Sequence, residues 1–146
     1  MTSVTAIRFA HRDFEYGQLK AFWREWVSRL TRRCNKLLSL DAVRPLFRGQ
    51  HYRGWQVIPI DKIVGSEGRT NEFDRAFFPR QTYTQNRWIS IATAYYEQIA
   101  LPPVDLYKIN ETYFVRDGHH RISVARSQGQ EFIDAYVTEL VVQTPV

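Results

Sequence analysis

The spacing of apolar residues predicts a long amphipathic helix near the start of the chain. Over residues 16–40, large apolar side chains recur every three or four positions, which is the period of one helix face. This apolar stripe consists of Leu19, Phe22, Trp23, Trp26, Val27 and Leu30. The opposite face carries Lys20, Arg24, Arg29, Arg32, Arg33 and Lys36. Because Trp23 and Trp26 lie one turn apart, we expect both to be buried, against the domain or against a second copy of the chain.

Short elements are predicted between this helix and the middle of the chain. Asp41 is placed to cap a short helix over residues 42–47. Residues 56–60 have the pattern of a strand, in which Pro59 indicates a sheet edge or a strand end. Residues 63–69 contain two glycines, so we expect a tight, irregular loop there.

The second half of the chain alternates between helical and strand patterns. Residues 71–88 are expected to be loop with short helical pieces, followed by a helix that buries one face. That face is formed by Trp88, Ala92, Tyr95 and Ile99. Later elements are predicted in the order strand 104–109, strand 112–116, helix 119–128 and strand 132–142. The first two of these strands form a hairpin, and Gly129 closes the helix.

These elements predict an α+β fold, in which helices flank a small mixed sheet. We expect an N-terminal helical extension over residues 1–54 and one compact unit over residues 55–146. The hydrophobic content of 44% is enough for a packed core, and the net charge of +5 favours anionic partners such as nucleotides or DNA. Cys34 is the only cysteine, so no internal disulfide is expected. Without a signal peptide or a run of roughly 18 apolar residues, the sequence predicts a cytoplasmic protein with no membrane partner.

The segment from Asp117 to Arg121 has the composition of a phosphate-binding turn. It lies between a predicted strand and a predicted helix, and a helix N-terminus offers free backbone N–H groups to an anion. Gly118 lets the backbone approach a phosphate, and Arg121 is suited to bind its oxygens in a bidentate fork. His119 and His120 are able to donate hydrogen bonds or to move a proton, and Asp117 is able to hold Mg²⁺ or to orient a histidine.

The same residues carry a resemblance to a known family. FVRDGHHRISVA at residues 114–125, with the strand that follows Gly129, resembles the signature of the ParB/sulfiredoxin superfamily. VIPIDKI at residues 57–63, running on to Arg69, resembles its first conserved box. The likeness covers about residues 55–140 and implies a ParB/sulfiredoxin-like sheet. The Asp-Gly-His-His-Arg variant is similar to that of free serine kinases and DGQHR-type proteins.

The branches of this superfamily imply different activities. Sulfiredoxins carry a catalytic cysteine where this chain has His119, so their activity is not expected here. Partition proteins add a helix-turn-helix after this domain, so a complete partition protein is not expected either. The free serine kinases use a glutamate of the first box as a base, and Glu67 stands at that position. From the residues themselves, Arg69 is either a second phosphate contact or a surface ion-pair partner of Glu72 or Asp74.

Two functions are consistent with these observations. The first is a nucleotide-binding protein that hydrolyses or transfers a terminal phosphate with Mg²⁺, taking a nucleoside triphosphate or diphosphate as ligand. Here Glu67 and His120 are the predicted catalytic residues, and Asp117 is the predicted metal ligand. The phosphate-binding residues are then Gly118, His119, His120, Arg121 and Arg69. The alternative is a DNA-linked binding or nuclease-type module, in which the same turn grips a backbone phosphate.

Overall fold

Three α-helices pack on a six-stranded mixed sheet in the computed structural model, which describes residues 3–143. The helices are α1 (Ser3–Thr31), α2 (Gln85–Tyr96) and α3 (His119–Ser127). The strands are β1 (Leu38–Ser39), β2 (Phe47–Pro59), β3 (Ile63–Ser66), β4 (Val104–Ile109), β5 (Thr112–Asp117) and β6 (Phe132–Val142). The predicted α+β class is therefore confirmed.

The sheet has the strand order β1-β3-β5-β4-β6-β2. Strands β4 and β5 form the predicted antiparallel hairpin, while β3 pairs in parallel with β5 and β4 pairs in parallel with β6. Strand β2 pairs with β6 alone and forms one edge of the sheet. The division expected after residue 54 falls inside β2, because the pairing with β6 starts at Phe47.

The helices cover one face of the sheet and enclose the main hydrophobic core. Trp88 of α2 is fully buried at its centre, with Phe14 of α1 packed edge-on at 5.6 Å between ring centroids. The indole N–H of Trp88 donates to Ser123 Oγ at 2.8 Å, which fixes α3 against α2. A smaller cluster lies on the other face, formed by Leu40, Ile109, Phe114 and Leu140.

The prediction for the N-terminal helix was wrong in its bounds, and its apolar stripe is not buried against the domain. Helix α1 runs over Ser3–Thr31, and Arg32, in a left-handed conformation (φ 57°), ends it. The amide of Arg33 then donates to Ser28 O at 3.0 Å, as in a Schellman C-terminus. The buried side chains of α1 are Ala6, Ala10, Phe14 and Ala21.

The apolar stripe of α1, including Trp23 and Trp26, is therefore exposed in the single chain. The physical reason is that alanines let α1 pack closely on α2. The sequence pattern instead predicted burial of the larger apolar side chains.

Helix α1 is long, yet within residues 3–143 no helix combines the length and apolarity that a membrane crossing requires.

Several other predicted elements need correction. The expected loop over residues 63–69 begins with β3, because Gly65 fits between Leu38 O and the Phe114 ring, where a Cβ would lie 2.5 Å from each. The short helix after β1 is a 3₁₀ helix, Leu40–Leu46, and Ser39 rather than Asp41 caps it. Strand β2 starts nine residues earlier than predicted. The other differences are the start of α2 at Gln85 and the exposure of Ile99 beyond the end of α2.

Candidate functional site

The turn between β5 and α3 is shaped by a glycine that no other residue replaces without strain. Gly118 has φ 110° and ψ 23°, a left-handed conformation that L-residues rarely adopt. A Cβ at this position would lie 2.4 Å from Cγ1 of the buried Val104 and 3.2 Å from Nη2 of Arg121. The chain therefore passes close to β4 as it enters α3.

The N-terminus of α3 carries backbone N–H groups with no helical acceptor. No side chain of the described residues caps this end, and the amide of Ile122 makes the first intrahelical bond, to Gly118 O at 3.0 Å. The preceding amides, those of His119, His120 and Arg121, point out of the helix end, where the helix dipole is positive. This is the geometry of an anion-binding helix terminus.

Both histidines of the motif are buried at this helix end. His119 is 3% exposed and His120 is 5% exposed, and Phe73 contacts both rings, with centroid distances of 6.3 and 5.3 Å. Because the Ser66 hydroxyl donates to Gly68 O, its oxygen accepts from the Nε2–H of His119. His120 Nδ1 is buried and has no hydrogen-bond partner among the described residues.

The surroundings of the two histidines disfavour their charged forms. The pKa of His119 is lowered to about 4, first by burial and then by the charges of Arg69 and His120. The pKa of His120 is also lowered to about 4, first by burial and then by the charges of Arg87 and Arg69. Both imidazoles are therefore neutral at pH 7, so the positive charge at the site comes from arginines.

Arg121 is largely engaged with its own protein. Its Nη1 donates to Pro102 O and to Pro103 O, each at 2.8 Å, and its Nη2 donates to an Asp117 oxygen at 3.2 Å. These bonds use three of the five guanidinium N–H groups, and the side chain is only 14% exposed. Arg121 thus ties the loop before β4 to α3, while two N–H groups remain for a ligand.

A small polar cleft joins the helix end to two further arginines. It is lined by Arg69, Arg87, Ile91, Asp117, Gly118, His119, His120 and Arg121. Its volume of about 20 Å³ corresponds to little more than one water molecule. Arg69 lies in the loop after β3, with its Nε 4.0 Å from Glu72 Oε2.

Arg87, in the first turn of α2, was missed by the sequence analysis. Its side chain makes no hydrogen bond or ion pair with another described residue, and its charge acts on His120. It lies near the end of the segment 71–88, for which a loop with short helical pieces was predicted. The signal in the sequence was its place directly before Trp88. Because Trp88 is on the buried face of the predicted helix, the adjacent Arg87 points in a different direction.

The predicted acidic residues differ in their relation to the cleft. Asp117 lines it, with a side chain that is 66% exposed and paired with Arg121. The Glu67 carboxylate instead accepts from Arg44 Nη2 at 3.2 Å, and Glu67 does not line the cleft. No cluster of three or more His, Cys, Asp or Glu suited to a metal ion occurs in residues 3–143. The structure thus brings together every predicted site residue except Glu67.

Comparison with known proteins yields a partial likeness to a solved structure. No protein-family model matches the chain, and no curated protein matches it. Among solved structures, it is similar to a sulfiredoxin from Arabidopsis thaliana, with a TM-score of 0.43 and 20% identity. This likeness covers 57% of the present chain and 82% of the sulfiredoxin chain.

Proposed function

We propose that this protein binds the terminal phosphate of a nucleotide at the N-terminus of α3. The observation that supports this most directly is the convergence of uncapped amides with Arg69 and Arg87 in one cleft. Two guanidinium groups and a helix dipole act in the same direction on an anion. Gly118 adopts the left-handed conformation of the turn that leads into this helix end.

The small volume of the cleft favours a terminal phosphate over a whole ligand. With room for about one water molecule, the cleft admits a phosphate only when Arg69 and Arg87 reorient around it. Within residues 3–143, the Arg87 side chain has no hydrogen-bond or ion-pair partner to give up, and the Arg69 side chain has only a long contact with Glu72. The remainder of the nucleotide then stays outside the cleft.

Magnesium fits this proposal as a companion of the phosphates. Within residues 3–143, Asp117 is the acidic residue that lines the cleft, so the protein supplies one carboxylate. Mg²⁺ is commonly held by one or two carboxylates together with substrate phosphates and water. Asp117 would hold the ion in this way, and the ion would neutralise phosphate charge.

Of the two predicted catalytic residues, we assign proton transfer to His120. Its imidazole is neutral at pH 7, and its buried Nδ1 has no hydrogen-bond partner among the described residues. A neutral imidazole is able to accept the proton of a water or alcohol that attacks a terminal phosphate. Glu67 is bonded to Arg44 outside the cleft, so it would have to leave that partner before acting as a base.

A calorimetric titration with nucleoside triphosphates, with and without Mg²⁺, tests the proposal. Replacement of Arg87 by alanine should weaken binding roughly ten- to a hundredfold, because a charge-assisted hydrogen bond contributes about 1.5–3 kcal/mol. The matched control is Arg116→Ala. Arg116 precedes Asp117 in β5 but stacks over Tyr107, which packs against the smaller cluster on the other sheet face. Equal affinity of the wild-type protein and Arg87→Ala would contradict the proposal.

DNA binding is the alternative function, and the charge of the chain favours it. The net charge is +5, and α1 carries several arginines on its exposed surface. Binding through backbone phosphates should weaken steeply with salt, roughly in proportion to the number of contacts. Steep salt dependence with duplex DNA, together with no saturable nucleotide binding, would select this alternative.

A further inference from the structure

The C-terminal half of α1 exposes an unusually large apolar surface. The apolar stripe consists of six side chains that are between 51% and 71% exposed, namely Leu19, Phe22, Trp23, Trp26, Val27 and Leu30. A buried aromatic side chain covers roughly 150–250 Å², so the half-exposed stripe presents on the order of 700 Å². Each partner in a standard protein interface contributes about 800 Å². The stripe is thus close to one side of a stable interface.

The order of residues along the stripe is the same in both directions. Leu19, Trp23, Trp26 and Leu30 follow one another at spacings of four, three and four residues, which keeps them on one helix face. Reversal about the midpoint between Arg24 and Glu25 exchanges leucine with leucine and tryptophan with tryptophan. A two-fold symmetric interface requires such self-complementarity, because the same patch serves on both subunits.

The surface beside the stripe is concave. Trp23 and Arg24 line a groove of about 340 Å³ towards Val27 and Arg75, and a second of about 520 Å³ towards Leu19 and Phe78. Trp23 therefore forms a ridge between two grooves. Ridges that enter grooves are how helices pack on each other, whereas a flat lipid surface would leave both grooves unfilled.

We propose that the apolar stripe of α1 is a homodimer interface, in which two copies of α1 pack antiparallel. In this arrangement Trp23 of each subunit lies against Trp26 of the other, and Leu19 lies against Leu30. The interface lies on α1 and uses none of the residues that line the phosphate cleft, so it does not rest on the proposed function.

The first test is the mass of the full chain in solution by light scattering, over a concentration series. The wild-type protein should have twice the chain mass of 17.3 kDa. Trp23→Glu should raise the dimer dissociation constant by about thirtyfold or more, the loss expected at an interface hot spot. Trp55→Glu is the matched control, since Trp55 on β2 is 57% exposed and lies outside the stripe. A single-chain mass for the wild-type protein, or equal loss in the control, would overturn the proposal.

The second test determines the helix orientation by disulfide trapping, in a Cys34→Ser background. A mixture of Leu19→Cys and Leu30→Cys chains should form a covalent dimer, while neither variant alone should do so. In the antiparallel pair, the two copies of residue 19 are separated by eleven residues of helix rise, about 16 Å, far beyond the reach of a disulfide. Efficient cross-linking of either variant alone would reject the antiparallel arrangement. Dimerisation that persists in Trp23→Glu would place the interface elsewhere.

Discussion

Replacement of Gly118 by alanine tests whether the turn before α3 is as tightly constrained as the structure indicates. Residue 118 has φ 110°, and a left-handed conformation costs an L-residue about 1–2 kcal/mol. The new Cβ would also lie 2.4 Å from Cγ1 and 2.8 Å from Cβ of Val104, which is fully buried and has little room to move. Overpacking of this kind costs about 1–3 kcal/mol. Gly118→Ala should therefore lower the free energy of unfolding by about 2–5 kcal/mol.

The matched control for this substitution is Gly129→Ala, at the other end of α3. Gly129 also has a positive φ, 75°, but a Cβ there would meet no atom within 4 Å. Only the conformational cost remains, so a loss of about 1–2 kcal/mol is expected. Urea denaturation measures both values. Equal losses in the two variants would refute the claim that contact with Val104 constrains the turn.

The remaining predictions concern the motif and the two faces of α1. Arg121→Lys should lower stability as well as phosphate affinity, because one ammonium group cannot replace bonds to Pro102, Pro103 and Asp117; chemical denaturation and calorimetry measure the two effects. Folded-state pKa values near 4 for His119 and His120 mean that the unfolded chain binds more protons between pH 6.5 and 4. Each histidine's contribution to the free energy of unfolding is then fully present above pH 6.5, and about 3 kcal/mol of it is lost as the pH falls to 4. If His120→Gln has the same dependence of stability on pH as the wild type, this reasoning is contradicted. Glu67→Gln should leave both nucleotide affinity and phosphate release unchanged, whereas His120→Gln should lose phosphate release. In the single chain, Phe14→Ala should cost about 3–5 kcal/mol and Trp23→Ala about 0.5 kcal/mol or less, as measured by denaturation of the monomer.

The β-rich half of the fold was predictable because its signals are local. Strands β4 and β6 match their predicted bounds, since alternation, the Asn110 turn and Gly129 each act over a few residues. The burial of α1 was not predictable in the same way, because it depends on which elements are present to cover each helix face. Small residues such as Ala10 allow α1 to pack closely against α2. The larger side chains of the apolar stripe remain exposed, because no other described element covers them.

The candidate site was predictable where its residues are contiguous in sequence. The motif from Asp117 to Arg121 and the more distant Arg69 do line one cleft. Arg87 comes from another element, and only the three-dimensional packing of α2 on α3 brings it there. The hydrogen bonds that Arg121 donates could not be predicted from the sequence either, because their acceptors are the backbone carbonyls of Pro102 and Pro103.

The most direct test of phosphate binding at the N-terminus of α3 is an NMR titration of the backbone amides with a nucleoside triphosphate. Saturable shifts should appear first at His119, His120 and Arg121, whose amides have no helical acceptor, and should be lost in an Arg69→Ala/Arg87→Ala variant that remains folded. The Arg116→Ala protein should behave as the wild type. Shifts absent from these three amides, or unchanged in the double variant, would contradict the assignment of this cleft as a phosphate site.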